Sequence, residues 1–330
     1  EIASAAHASD FDRYSSGNAG AVSVIAKETL SLLDGATISS STYYKGKAGT
    51  VSIESTKLNM DAGAKIISEA GEFSTGQTGN ITIRASELMS LDQANISVKN
   101  AATVTSPEKI LGTSLQIQTN QLHVQASEIT AASSGNVAAS QIQVGAGQEM
   151  RMQSSVITTS AVNGNGGSIR VNGQGSVILQ QSQISTSVSG VENGNGGNIQ
   201  ISAPVMVLSN GAIQANTAAP KAAGGDVNIQ VSDILSSGNR LRVGGAPVAF
   251  DLASSKFNVI QAAAADGVSG LISLASPPID LSASLSNLMP QLMDTSELIT
   301  DFCRVSSQSS MTILGRGGLP FSIKGLSRSQ

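Results

Sequence analysis

A short glycine phrase recurs along this chain, and its spacing constrains the fold more than any other feature. The phrase is Gly-x-x-Gly-x-[Val/Ile]-x-[Val/Ile], and its last copy has Ala222 in place of the first glycine. The second glycines are Gly20, Gly49, Gly79, Gly167, Gly197 and Gly225, so the steps are 29, 30, 88, 30 and 28 residues. A fixed period in this range is typical of a solenoid, in which each repeat contacts only its neighbours. The step of 88 residues predicts two degraded copies between Gly79 and Gly167.

Each repeat contains three pieces in which apolar and polar residues alternate. In the second repeat the apolar positions are Val51 and Ile53, then Leu58 and Met60, then Ile66 after a turn. Strict alternation predicts strands with one buried face. Three short strands and three corners per repeat are typical of one coil of a parallel β-helix. We expect the recurring glycines to act as structural turn residues that ease the chain into the first strand.

The sequence therefore predicts an all-β, right-handed parallel β-helix with about 28–30 residues per repeat and a C-terminal cap. The degraded copies are expected at 115–129 and 142–157, which keep the alternation. The helix-like apolar spacing at 285–302 predicts a cap, because an open β-helix end exposes unpaired strand edges. The predicted divisions are a frayed or partial first coil at 1–16, β-helix repeats at 17–232, irregular terminal coils at 233–284, and the cap and tail at 285–330.

Composition excludes several classes of partner. The net charge is −4 and only 13% of residues are charged, so the chain has no basic footprint for nucleic acid. No apolar run reaches 18 residues, so we expect no membrane span. The chain begins at Glu1 with neither Met nor a signal peptide, from which we expect a fragment or a processed form.

Acidic residues recur at one predicted turn and raise the possibility of catalysis. Asp34, Asp61 and Asp92 are 27 and 31 residues apart and would stack along one edge of the coil. A β-helical polysaccharide lyase or hydrolase needs acids that face one cleft. Aspartate is also a good turn residue, and no Arg or His recurs beside these three. We expect no enzymatic activity and assign no catalytic residue.

Other chemical signals are isolated. Asp226 is the only aspartate beside the glycine phrase, whereas calcium-binding β-rolls repeat an aspartate every nine residues or so. His7 falls in the first coil, and His123 is out of phase with its apolar neighbours, so it should face solvent. Two separate histidines do not make a metal site. We therefore expect no metal and no cofactor. Tyr43 and Tyr44 are predicted in a loop between coils. They form either a small contact patch or an ordinary solvent-exposed edge of the loop.

The glycine phrases and the tail together resemble the large bacterial exoproteins related to filamentous haemagglutinin. The segments that carry this resemblance are Asn-Gly-Asn-Gly-Gly at 163–167 and 193–197, Gly-Val-Ser-Gly at 267–270, Ser-Pro-Pro-Ile-Asp-Leu-Ser at 276–282, Cys303-Arg304, and Gly-Arg-Gly-Gly-Leu-Pro at 315–320. The resemblance covers nearly the whole chain. It implies a β-helical fibre, of which this chain is the C-terminal part.

The resemblance also implies a function. It points to a secreted adhesin or matrix protein of the bacterial surface, exported by an outer-membrane two-partner transporter that recognises a region absent here. Its role would be cell attachment and biofilm formation, with host-cell or matrix glycans or proteins as partners. Cys303 has no second cysteine to pair with, so it is either a buried thiol or an intermolecular disulfide or anchor. The alternative functions are a β-helical polysaccharide lyase or hydrolase, and a passive shaft that presents a cargo domain.

Overall fold

The structure is a computed structural model of the 330-residue chain, and it describes residues 1–6, 17–190, 194–220, 222–237 and 241–275. These residues form β-strands and one 3-10 turn at Pro107–Lys109, with no α-helix among them. The strands make two parallel sheets that stack coil upon coil, which confirms the predicted all-β parallel β-helix. The predicted cap at 285–330, His7 and Cys303 lie outside the described residues.

Sheet 1 has eleven strands and carries the first two alternating pieces of each repeat. Its strands are β2 (Val22–Ile25), β3 (Thr29–Leu32), β5 (Val51–Met60), β7 (Ile81–Asp92), β9 (Ser114–Gln125), β11 (Gln141–Gln153), β13 (Ile169–Gly173), β14 (Ser176–Gln180), β16 (Ile199–Ser209), β18 (Val227–Ser236) and β21 (Ile272–Ala275). The two degraded copies are confirmed, because β9 and β11 pair in register with each other and with β7 and β13.

Sheet 2 has ten strands and carries the third piece of each repeat. Its strands are β1 (Ile2–Ala6), β4 (Thr37–Thr42), β6 (Lys65–Ala70), β8 (Asn95–Asn100), β10 (Glu128–Ser133), β12 (Val156–Ala161), β15 (Gln183–Val188), β17 (Ala212–Thr217), β19 (Leu241–Val243) and β20 (Asn258–Gln261). Strand β1 pairs with β4, although the sequence around it lacks alternation.

The prediction of three separate strands per repeat is wrong, because the first two pieces share one sheet and usually one strand. Strand β7, for example, runs through both pieces. Where the pieces join, the register shifts, between Ala85 and Leu88 in β7 and between Ala146 and Glu149 in β11. Such a β-bulge absorbs extra residues and bends the strand while the ladder continues on both sides. Most coils therefore have one bent long strand and one short strand.

A column of isoleucines fills the core side of sheet 2. Each one pairs in register with the next, as Ile129 does with Ile157 and Ile157 with Ile184. The column consists of Ile38, Ile66, Ile96, Ile129, Ile157, Ile184, Ile213 and Ile260, all fully buried. Burial of a side chain of this size contributes about 1.5–3 kcal/mol. The column thus provides a continuous apolar spine along the coils.

In seven successive coils, one residue in the left-handed conformation turns the chain from sheet 1 into sheet 2. These residues have φ between 44° and 54°, and they are Asp34, Ala62, Gln93, Ala126, Ser154, Gln181 and Asn210. A left-handed conformation costs an ordinary residue about 1–2 kcal/mol. Five different residue types adopt this conformation despite its cost. The conformation at the corner is therefore imposed by closure of the coil and not by the intrinsic preference of one residue type.

The last coil contains an excursion that lengthens the glycine step from Gly225 to Gly270. After β18 the chain forms β19 at the outer edge of sheet 2, and β20 then returns between β17 and β19. Gln261 connects the excursion to the coil before it. Its Oε1 accepts hydrogen bonds from Val248 N at 3.1 Å and from Asn216 Nδ2 at 2.9 Å. This excursion falls within the segment 233–284.

Candidate functional site

The predicted turn glycines stack directly on one another at the corner that leads into sheet 1. A Cβ on Gly49 would lie 2.2 Å from the carbonyl oxygen of Gly20, and a Cβ on Gly197 would lie 1.9 Å from that of Gly167. Gly79 and Gly225 are equally tight against the coil before them. None of the six predicted glycines has a positive φ. Glycine is therefore needed here for close approach between coils, and not for a left-handed backbone conformation.

Buried hydroxyl groups satisfy the backbone of these glycines. Ser40 Oγ donates to the Gly20 carbonyl at 2.9 Å and accepts from Gly49 N at 2.9 Å. Ser68 Oγ likewise accepts from Gly79 N at 2.9 Å. A buried backbone group without a partner costs free energy, so these contacts explain why hydroxyl residues face the core here. The glycine corner is thus a structural unit whose polar groups are already occupied.

The acidic turn residues do not form one stacked column. The residues in register are Met60 and Leu91, so Asp61 and Asp92 occupy equivalent positions on neighbouring coils. Asp34 is aligned with Ala62 instead, one position further along, because Leu32 pairs with Met60. The Asp61 carboxylate accepts a hydrogen bond from its own turn, at 2.6 Å from Ala62 N. The predicted equivalence of all three acids is therefore wrong.

The other acid and base candidates make local contacts. Asp226 Oδ1 accepts from Leu271 N of the next coil at 2.8 Å, so it supports coil stacking. His123 is partly exposed, and its Nε2 lies 3.4 Å from Glu149 Oε1. The hydrogen bond from Arg151 to Glu149 lowers the pKa of that carboxyl group. In the part of the chain that the structure describes, no three His, Cys, Asp or Glu residues gather as a metal site would require.

The tyrosine loop holds an aromatic pair that sequence reasoning missed. The Tyr44 ring stacks on Phe73 of the next loop, with 5.9 Å between centroids and 15° between planes. Phe73 is 63% exposed. Burial, with a further contribution from the negative charge of Glu69, raises the pKa of Tyr43. Phe73 follows the tyrosines by about one repeat, and that spacing is the signal by which the pair could have been found.

A polar groove on the outer face of sheet 1 was also missed. It consists of two adjoining cavities of about 480 and about 520 Å³, which share Arg84, Gln118 and Gln174. Six lining residues lie in register on six neighbouring strands of sheet 1, in the order Glu54, Arg84, Gln118, Gly145, Asn172 and Ser202. Strands lie about 4.8 Å apart, so the groove extends about 24 Å across the coils. We name it the amide groove.

Glycines in and beside the bulge form the floor of the amide groove. Gly145 directly precedes the register shift in β11 and Gly147 lies within it, and neither presents a side chain. A Cβ on Gly145 would lie 2.2 Å from Gln118 Oε1, and one on Gly147 would lie 2.5 Å from Asn120 Oδ1. The amides of the preceding coil therefore lie across these glycines. The bend of the strand and the missing side chains together make the surface concave.

The groove walls are polar and nearly neutral. Among the described residues, the side-chain amides of Gln118, Gln143 and Asn172 have no hydrogen-bond partner within the protein. The charges at one end belong to Arg84 and Glu54, which lie 3.5 Å apart and offset each other. A primary amide carries two N–H donors and one carbonyl acceptor. The groove therefore offers free donors and acceptors along its length without net charge.

Comparison with known proteins identifies no relative. No protein-family model, no curated protein and no solved structure matches the chain. The likeness to haemagglutinin-type exoproteins therefore depends on the sequence phrases quoted above. Among the residues that the structure describes, none forms a helix with the length and apolarity needed to cross a membrane.

Proposed function

We propose that this chain is the β-helical rod of a bacterial adhesin or matrix protein, secreted to the cell surface by a two-partner system. In this role it acts without catalysis, as a stiff spacer whose outer faces meet another cell, a matrix glycan or a protein. The sequence phrases at 163–167, 193–197 and 315–320 support the family, and the fold supports the mechanical role.

The observation that carries the mechanical role is the continuity of the core. The isoleucine column continues through eight successive strands of sheet 2, from Ile38 to Ile260. In most coils, glycines at the corner that leads into sheet 1 bring neighbouring backbones into close contact. A well-packed interior has low compressibility and transmits strain. A rod built in this way holds an attachment surface at a fixed distance from its anchor.

Surface labelling of the bacterium that produces the protein tests the proposal. An antibody raised against residues 1–330 should label intact cells, and a strain that lacks the gene should attach less to host cells or to a biofilm matrix. A matched strain that expresses the gene again should recover attachment. Labelling that appears only after the cells are permeabilised would contradict the proposal.

A further inference from the structure

We propose that the amide groove binds an extended, neutral polysaccharide chain. This inference deepens the proposed attachment function. It rests on that function because the chain would encounter the polysaccharide at the cell surface. It assigns the ligand class to named side chains on the outer face of sheet 1, principally Gln118, Gln143 and Asn172.

The hydrogen-bonding groups of the groove match sugar hydroxyls. A hydroxyl group both donates and accepts, and so does a side-chain amide. Gln118, Gln143 and Asn172 come from three successive strands and use none of this capacity within the described protein. Thr82 and Ser202 add hydroxyl groups to the lining of the same groove. A polyhydroxylated ligand can therefore pair with every coil it crosses.

The charge of the groove favours a neutral ligand over an acidic one. Arg84 is the only cation among the lining residues, and its Nη1 lies 3.5 Å from Glu54 Oε1. An acidic polysaccharide would meet this carboxylate as well as the guanidinium. Binding of polyanions depends on unpaired cationic groups and weakens steeply with salt. The residues that line the groove include no unpaired cationic group.

The direction of the groove favours a chain that lies along the rod. The lining residues come from successive coils, and each coil advances by about 4.8 Å. A linear chain of pyranose rings presents hydroxyl groups at a comparable repeat, so neighbouring coils address neighbouring sugars. The backbone of β7, β9 and β11 is already paired on both sides. A peptide therefore finds no free strand edge in the groove, which removes β-augmentation as a means of binding.

Native gel electrophoresis of the full 330-residue chain through polysaccharide-containing gels tests the inference. The probes are dextran, galactomannan and mixed-linkage β-glucan as neutral chains, and alginate and polygalacturonate as acidic chains. We expect at least one neutral polysaccharide to retard the chain, at low and at high salt alike. The double variant Gln118→Ala/Gln143→Ala should weaken that retardation by about tenfold or more, as the loss of two hydrogen-bonding side chains predicts.

A matched control lies on the same two strands. Gln125 and Gln153 also face solvent from β9 and β11, but they lie beyond the second piece and outside the groove. The double variant Gln125→Ala/Gln153→Ala should bind as the unchanged chain does. Gly145→Leu provides a steric test, because its new side chain meets the movable amide of Gln118 and not the backbone. It should abolish retardation while the circular dichroism spectrum stays unchanged.

Several outcomes would overturn the inference. These are retardation by no neutral polysaccharide, retardation by the acidic chains alone with loss at high salt, and equal weakening by both double variants. Surface labelling separates this result from the proposed function. A surface-located chain that binds no neutral polysaccharide removes the groove inference alone, whereas a chain that binds dextran but is never exposed on intact cells removes the attachment proposal.

Discussion

Five of the six corner glycines lie against the backbone of the coil before them. At Gly225 the position of a Cβ is 2.0 Å from the carbonyl oxygen of Gly197, and at Gly79 it is 1.8 Å from that of Gly49. A carbonyl oxygen in a paired backbone cannot rotate aside as the end of a side chain can. At this scale a methyl group is enough to force two coils apart.

The substitution Gly197→Ala should therefore destabilise the fold. We expect the free energy of unfolding to fall by about 1–3 kcal/mol, the usual cost of overpacking, as measured by urea denaturation followed by circular dichroism. Gly112→Ala is the matched control, because a Cβ there has no atom within 4 Å and Gly112 does not have a positive φ. It should change stability by less than about 0.5 kcal/mol. Equal effects of the two substitutions would contradict the role given to the corner.

The Glu149 carboxyl group provides a pH-dependent prediction. The hydrogen bond from Arg151 is the main reason that its pKa is lowered, with further contributions from the charges of Arg151 and His123. A lowered carboxyl pKa in the folded state contributes stability that is present above the unfolded pKa and is lost as pH falls through the folded pKa. Because the pair is partly exposed, we expect a contribution of less than about 1 kcal/mol.

Arg151→Ala should raise the pKa of Glu149, which NMR titration of the Glu149 side-chain carbonyl carbon measures directly. Arg170→Ala is the control, since Arg170 Nε bonds Gln200 Oε1 at 3.1 Å and not an acid. It should leave the Glu149 titration unchanged. If the pKa of Glu149 does not change in Arg151→Ala, a group other than Arg151 is responsible for lowering it.

At the scale of strands, alternation predicted which side chains enter the core. Val51, Ile53, Leu58 and Met60 are all buried, as their spacing indicates. The union of the two pieces into one strand could not be predicted, because the step of five residues from Ile53 to Leu58 breaks the two-residue alternation. A bulge is defined by its pairing with the next strand, which no single repeat contains.

The amide groove lay beyond prediction for a related reason. The sequence places Gln116, Gln118 and Gln143 at outward positions, and this much is visible from the alternation. Whether an outward amide is free or occupied depends on neighbouring coils. Gln116 Nε2 donates to Ser114 Oγ at 3.1 Å, whereas the Gln118 amide finds no partner in the described protein. The concave shape of the groove likewise depends on the bend in β11 and on the two glycines of that strand.

The excursion in the last coil depends on one buried glutamine. Gln261 is fully buried and accepts hydrogen bonds from Val248 N and from two side-chain amides. Gln261→Leu keeps the volume but removes the acceptor of these bonds, and each buried donor left without a partner costs about 1–3 kcal/mol. We expect chymotrypsin to cleave faster after Phe250, which lies in the excursion. Gln230→Leu, on the exposed face of β18, should not change the cleavage rate.

At the scale of the whole molecule, each coil is held by the coils on its two sides. Strand β12 pairs with β10 and β15, and it pairs with no other strand among the described residues. The stability of such a molecule is close to a sum of repeat terms and nearest-neighbour terms. Damage to one coil should therefore weaken its neighbours most, and its effect should decrease from one coil to the next.

The substitution Ile157→Ala tests this by native-state hydrogen exchange. Removal of a buried isoleucine side chain costs about 2–5 kcal/mol, and we expect the largest loss of amide protection in β10, β12 and β15, with β4 and β20 changed least. Thr130→Ala, on the outer face of β10, is the control and should leave protection unchanged in every strand. If Ile157→Ala lowers protection equally from β4 to β20, these coils unfold as one unit, and the coupling between coils exceeds the stability of any coil alone.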